Sequence, residues 1–286
     1  MGSRPPAFPS QSLENAPAGI ESAPEVLVPD AAAPPPPARR RPLWAAAPAT
    51  YLLVGINCGV FLAMVAHGIS LWMPTTDQLM HWGANNAGNV LIGGEWWRIV
   101  TAMFVHVGIL HLATNMWCLW NLGLLAEPLI GSWGLIAAYI LTGAAGNLLS
   151  TLWNWTKYHD TNIFPAGAGA SGAVFGIAGV LILLLQSKFL PVPPLEVRRL
   201  RKSVIYFAVI NLVIGLSINF GTGLTGVAVD NSAHIGGCAS GLLLAARLVP
   251  RIGTPRSEFQ FRLRLSVIAM VCLLVLFGFY LAHLAG

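Results

Sequence analysis

Charge is what this sequence has least of. Of its 286 residues only 9% are Asp, Glu, Lys or Arg, while 55% are hydrophobic, whereas an ordinary soluble domain carries roughly 25% charge. With a mean hydropathy of +0.67, a soluble globular fold is excluded and a membrane protein is expected. Cysteine is also scarce. Cys58, Cys118, Cys238 and Cys272 stand singly in separate apolar stretches with no CxxC spacing, which argues against both a disulfide framework and a zinc site and leaves them as small core residues. No stripe of alternating basic and aromatic residues is present, so nucleic acid is not an expected partner. The net charge of +5 reads as membrane topology instead.

The first 48 residues hold 12 of the 20 prolines, including PPPP at 34–37, and are poor in aromatic and β-branched side chains. Such a stretch has too little to bury and is expected to be a disordered, polyproline-like cytoplasmic tail. It lacks the apolar h-region of a cleavable signal peptide, and its acidic residues argue against a transit peptide, so the first apolar segment is expected to serve as the targeting signal.

Seven segments approach the ~20 apolar residues that a helix needs to cross a bilayer, namely 49–66, 108–126, 133–152, 171–187, 203–220, 233–249 and 265–285. The expected fold is therefore an all-α membrane protein, a polytopic helical bundle. Fourteen of the sixteen Lys and Arg residues lie in three clusters, before the first span, after the fourth and after the sixth. The positive-inside rule then puts the N-terminus in the cytoplasm and Gly286 outside. Spans four and six both run inwards, so Ser171 and His234 open their helices at the outer face. The long connection at 67–107, semi-apolar and rich in aromatics, is expected to lie in the membrane interface.

Ionisable residues at bilayer depth are costly, and each one invites a functional reading. His111 and Asn115, in HLATN, are four apart and share a face of span two. His234 opens span six in AHIGGCASG, where Gly237 and Gly241 form a GxxxG face that lets another backbone come close. Ser171 sits in GAGASGAVFG, and Phe175, four residues on, lies on its face and could stack on the imidazole. Taken singly these residues are ordinary: an intramembrane serine is usually a packing residue, and Asn115 alone would be interhelical glue. Together they supply a nucleophile, a base and oxyanion donors, the parts of an acyl-transfer site. A serine hydroxyl needs a neighbouring base to take its proton, and neutral imidazole suits that near pH 7. The tetrahedral oxyanion needs preorganised donors, which Asn115, His111 and the Ser171 backbone N–H could provide. No carboxylate is placed to orient His234, since Asp230 lies towards the loop, so a Ser-His dyad is expected and not a triad.

These residues resemble the rhomboid intramembrane serine proteases. GASG at 169–172 is similar to that family's GxSG nucleophile motif, with Gly169 and Gly172 as its glycines, and HLATN is similar to its HxxxN oxyanion element. AHIGGCASG resembles the segment that carries the catalytic histidine and the following GxxxG. EWWR at 95–98, ending in Arg98, fits the first-loop signature, with His106 eight residues on, and Glu127 matches the structural glutamate that ends the second helix. One departure is Phe175, where the family often has tyrosine, so stacking is retained but a hydroxyl contact is not. The resemblance covers about residues 49–249 and implies a six-helix rhomboid-like protease core. It makes 1–48 the tail and 250–286 a basic linker with a seventh, C-terminal transmembrane helix.

What the resemblance implies is a serine endopeptidase acting on transmembrane segments of other membrane proteins near the extracytoplasmic face. Ser171 would be nucleophile, His234 base then acid, and His111 and Asn115 the oxyanion donors, with no cofactor. Its expected partners are transmembrane protein substrates and the lipid bilayer. Three rivals are weighed against it. A non-proteolytic relative that binds membrane proteins would typically lack the serine or the histidine. A transporter would show broken helices with charges at mid-membrane. A metal site of His106, His111 and His234 lacks a carboxylate or thiolate at ligand spacing.

Overall fold

A computed structural model describes residues 47–161, 163–187, 190, 193–220, 229–248 and 255–286, with side chains in the 194–220 helix described to 214. The reading of residues 1–48 as a disordered tail falls almost wholly outside the described residues. The described residues belong to one compact unit and are helical apart from connections and one isolated β-bridge.

The helices, in chain order, are α1 (Pro48–Ala66), α2 (Thr76–His81), α3 (Ala87–Leu91), α4 (Arg98–Thr101), α5 (Ile109–Tyr158), α6 (Ser171–Leu184), α7 (Pro194–Phe220), α8 (Asn231–Ala245) and α9 (Arg256–Ala285). A straight helix as long as α5 would measure about 75 Å, more than twice a bilayer core. It is in fact two limbs. Gly131 sits at φ 78°, ψ 164° inside it, three residues after Pro128, so the chain turns there and spans two and three of the sequence reading become one limb each. With that division every expected span coincides with a helix. Among the described residues α1, α5 and α9 are long and apolar enough to cross a membrane, and α6 is a shorter apolar helix.

Local chemistry accounts for the helix starts. Pro48 opens α1, where its missing N–H and fixed φ cost nothing. The first-turn N–H groups of α1 point at Glu127 of α5, whose Oε1 accepts from Ala49 N at 2.9 Å and whose Oε2 accepts from Thr50 N at 2.8 Å and Thr50 Oγ at 2.7 Å. A buried carboxylate thus caps one helix from another, and Ser132 Oγ adds a fourth hydrogen bond at 2.6 Å. In α2 the run TTDQ forms a capping box, with Gln78 N donating to Thr75 Oγ1 and Thr75 N donating to Gln78 Oε1, which satisfies two orphan donors reciprocally.

The 67–107 connection folds upon itself around Arg98. That guanidinium is buried and donates to the carbonyls of Met80 (2.7 Å) and Ala84 (3.0 Å) and to the Glu95 carboxylate. The Arg98 hydrogen bond holds the Glu95 carboxyl below the ordinary carboxylate range. Tyr139 joins three segments: Asn57 Nδ2 of α1 donates to its hydroxyl at 2.9 Å, and the hydroxyl donates to Met103 O at 3.2 Å.

At the centre lies α6, in which every residue from Gly172 to Leu181 is buried. It is enclosed by α5 and α8, whereas α9 buries only Leu263, Ser266, Met270 and Leu281. An all-round apolar helix belongs in the middle of a bundle, and one apolar but mostly uncovered belongs against lipid.

Candidate active site

The loop before α6 is tied to the 67–107 connection, and that fixes where Ser171 stands. Gly167 and Asn85 exchange both backbone hydrogen bonds (2.7 and 2.8 Å), and Gly169 N donates to Ala102 O at 2.9 Å. Ala170 N donates to Nε2 of His106 at 3.5 Å, while Nδ1 of that ring faces Phe104 O at 3.3 Å. The two partners together assign His106 as neutral with its proton on Nδ1. Ala170 is the N-cap of α6 and provides no side-chain cap. The first-turn N–H groups from Ser171 onwards are therefore left without helical acceptors, beside the serine hydroxyl.

His111 comes to the same loop from α5. Val107 N donates to its Nδ1 at 3.4 Å, so the neutral ring carries its proton on Nε2. A β-carbon at Gly169 would stand 2.5 Å from Cε1 and 2.9 Å from Nε2 of His111. Only glycine leaves room for that ring, and its φ of +131° is one that other residues rarely adopt. Asn115 sits a turn further along α5, buried, with one Nδ2 hydrogen donated to His111 O at 3.0 Å. The structure thus brings His111 directly against the serine loop and connects Asn115 to it through His111.

His234 arrives on α8. Its ring stacks on Phe175 with centroids 4.3 Å apart and planes 9° from parallel, and Phe175 is one helical turn below Ser171 on the same face. The stack is possible because α6 and α8 nearly touch. A β-carbon on Gly237 would stand 2.0 Å from Gly172 O, and one on Gly241 2.0 Å from Gly176 O. Phe175 also meets Phe207 of α7, centroid to centroid 5.9 Å. Ser171 and His234 share this junction without a hydrogen bond between them, and Nδ1 of His234 is buried with no partner. Hydrogen bonds of this kind are often long or unformed before substrate binds.

Arg98 and Glu127 lie away from this junction, in the folded connection and the α1 cap already described. Among the described residues no cluster of His, Cys, Asp or Glu is arranged to hold a metal. Asp230, which the sequence places towards the loop, has a structural role there that the sequence analysis does not assign. It caps α8, accepting from Ala233 N at 3.0 Å and from the Ser232 hydroxyl, and its other oxygen accepts from Ser150 of α5. The signal for it was an aspartate just before a helix start; its Ser150 partner, 80 residues away, had none.

A family model of the rhomboid domain matches residues 93–251, more than half of the chain and the whole of this junction. The chain belongs to the rhomboid family. It is 31% identical to rhomboid protease GluP of Bacillus subtilis (strain 168) over 82% of this chain and 40% of that one. It is 29% identical to rhomboid protease AarA of Providencia stuartii over 70% of this chain and 72% of that one. RHOMBOID-like protein 6, mitochondrial, of Arabidopsis thaliana is 30% identical over 65% of this chain and 55% of that one. The chain spans well under half of the length of GluP and about half of that plant protein. Rhomboid membership accounts for the helical membrane fold and places the Ser171, His234 and His111 segments inside the matched region.

Proposed function

We propose that this rhomboid-family chain is an intramembrane serine endopeptidase that cleaves transmembrane segments of other membrane proteins through a Ser171–His234 dyad. The observation that carries the reading is the Phe175–His234 stack at 4.3 Å. It holds the imidazole beside the helix that Ser171 opens, next to N–H groups with no helical acceptor. Two relatives named as rhomboid proteases support the same activity.

In the proposed reaction Ser171 Oγ attacks the scissile carbonyl carbon as His234 Nε2 takes the hydroxyl proton. The carbonyl π electrons move to oxygen, and the oxyanion is met by the Ser171 backbone N–H, His111 Nε2–H and the second Nδ2 hydrogen of Asn115. Collapse breaks the C–N bond, and the leaving amine takes the proton from His234. Water then attacks the acyl ester, with His234 again accepting a proton and returning it to Ser171 Oγ.

The positive-inside rule supports a cytoplasmic N-terminus, an extracytoplasmic C-terminus and a site near the outer face of the cell membrane. The same reading divides the chain into a 1–48 tail, a 49–249 protease core and a 250–286 linker with the extra helix. The test is labelling by a serine-directed fluorophosphonate alongside cleavage of a transmembrane model substrate. Both are expected in the wild type and neither in Ser171→Ala; labelling that survives Ser171→Ala would reject the assignment.

A further inference from the structure

The first turn of α8 holds two polar side chains whose buried atoms have no partner: Nδ1 of His234, and both Oδ1 and Nδ2 of Asn231. The two residues are three apart, so they share one face with β-carbons about 5–6 Å from each other. Buried polar groups are nearly always paired, and here an imidazole N–H and an amide oxygen, complementary in kind, lie side by side. Asp230, the one carboxylate nearby, is not free for the task, since Ala233 N, Ser232 and Ser150 already occupy it.

We propose that Asn231 is a positioning residue for His234, its Oδ1 accepting the Nδ1–H directly after side-chain rotation or across one water. This rests on the Ser171–His234 reading and extends it. An amide acceptor on Nδ1 fixes the tautomer that leaves the Nε2 lone pair for the serine proton, and Phe175 fixes the plane of the ring. The pair supplies the orienting role of a triad's third member with a neutral group in place of a carboxylate. Groups of other kinds that face His234 are Asp230 at the head of its own helix and His111 of α5; α6 offers Ser171 and the uncharged ring of Phe175.

The test is the pH dependence of the rate at which a fluorophosphonate labels the full-length protein in bilayers, for the wild type, Asn231→Ala and Asn231→Asp, with Ser171→Ala as control. Asn231→Ala is expected to label about tenfold more slowly. Asn231→Asp keeps the acceptor and adds a negative charge beside Nδ1, which favours imidazolium. Its labelling near pH 8 should therefore approach the wild type, with the acidic limb moved to higher pH by about one unit. A packing role would slow both variants and leave the limb where it is, and that result overturns the proposal. So does a wild-type rate in Asn231→Ala. Loss of Ser171-dependent labelling from the wild type itself would instead remove the dyad reading on which the proposal stands.

Discussion

The α-carbon of Gly237 lies so close to the carbonyl oxygen of Gly172 that a β-carbon would stand 2.0 Å from it. The atom in the way is backbone, so nothing short of moving a helix can relieve the clash. Gly237→Ala should push α8 off α6, at a cost of about 1–3 kcal/mol for overpacking. It should also carry His234 away from Ser171, where a displacement of 1 Å can lower a rate about 10²-fold. Gly59→Ala on α1 is the contrast, because nothing lies within 4 Å of its added β-carbon, and a helical alanine is favoured over glycine. Cleavage rate and thermal unfolding of the two variants check this: loss in the first, no loss in the second.

Asn115→Ala tests how the oxyanion is held. Deleting one donor from such a hole costs about 10²-fold to 10³-fold, and here backbone N–H and His111 would remain, so a fall in kcat smaller than 10²-fold is expected. The hydrogen bond from Asn115 Nδ2 to His111 O makes it half a structural residue as well. Unchanged kcat on a normal substrate would leave it only that structural part.

The contacts of Gly237 mark where the sequence was sufficient and where it was not. The spacing of Gly237 and Gly241 puts them on one face because a helix has a fixed period, but nothing in a period names the helix that will meet that face. Short-range rules reached the apolar spans and the GxxxG face, although α7 and α9 begin earlier than the expected 203 and 265, at Pro194 and Arg256. The break between the spans at 108–126 and 133–152 was legible as well, and the φ of 78° at Gly131 supplies only its place and geometry. Pairings across long stretches of chain were out of reach: Asn85 with Gly167, Tyr139 with Asn57, Asp230 with Ser150. Each is a polar group buried by the tertiary fold, and its partner is decided by what the bundle brings near. Family resemblance singled out Glu127, yet the role the structure gives it, capping α1 through Ala49 and Thr50, depends on a helix 77 residues away.

Glu127→Ala is a stability prediction for that reason. It strips the acceptor from two backbone N–H groups and from the hydroxyls of Thr50 and Ser132, and a buried donor left unpaired costs about 1–3 kcal/mol. The loss should appear as a markedly lower Tm in detergent, with Glu127→Gln intermediate because one carbonyl acceptor survives. Equal Tm for wild type and Glu127→Ala would mean that water replaces the carboxylate without cost.

The last prediction concerns what the proposed protease can cut. In a transmembrane helix every interior carbonyl is engaged by the N–H four residues on, and side chains cover the backbone. Ser171 Oγ cannot approach such a carbonyl until the helix opens locally. The site itself is crowded: Ser171 is flanked by Gly172 against α8, Gly169 against His111, and Phe175 beneath His234, so an intact helix about 10 Å across is not expected to bring its backbone to Oγ. Substrates with glycine or proline just inside the outer face should therefore be favoured, since those residues weaken a helix by about 1 and 3 kcal/mol respectively. A model substrate carrying such residues and one with leucine in their place, digested in parallel and mapped by mass spectrometry, decide the matter. The first should be cut faster, and on the extracytoplasmic side. Equal rates, or a cut on the cytoplasmic side, would overturn both the unwinding requirement and the depth assigned to Ser171.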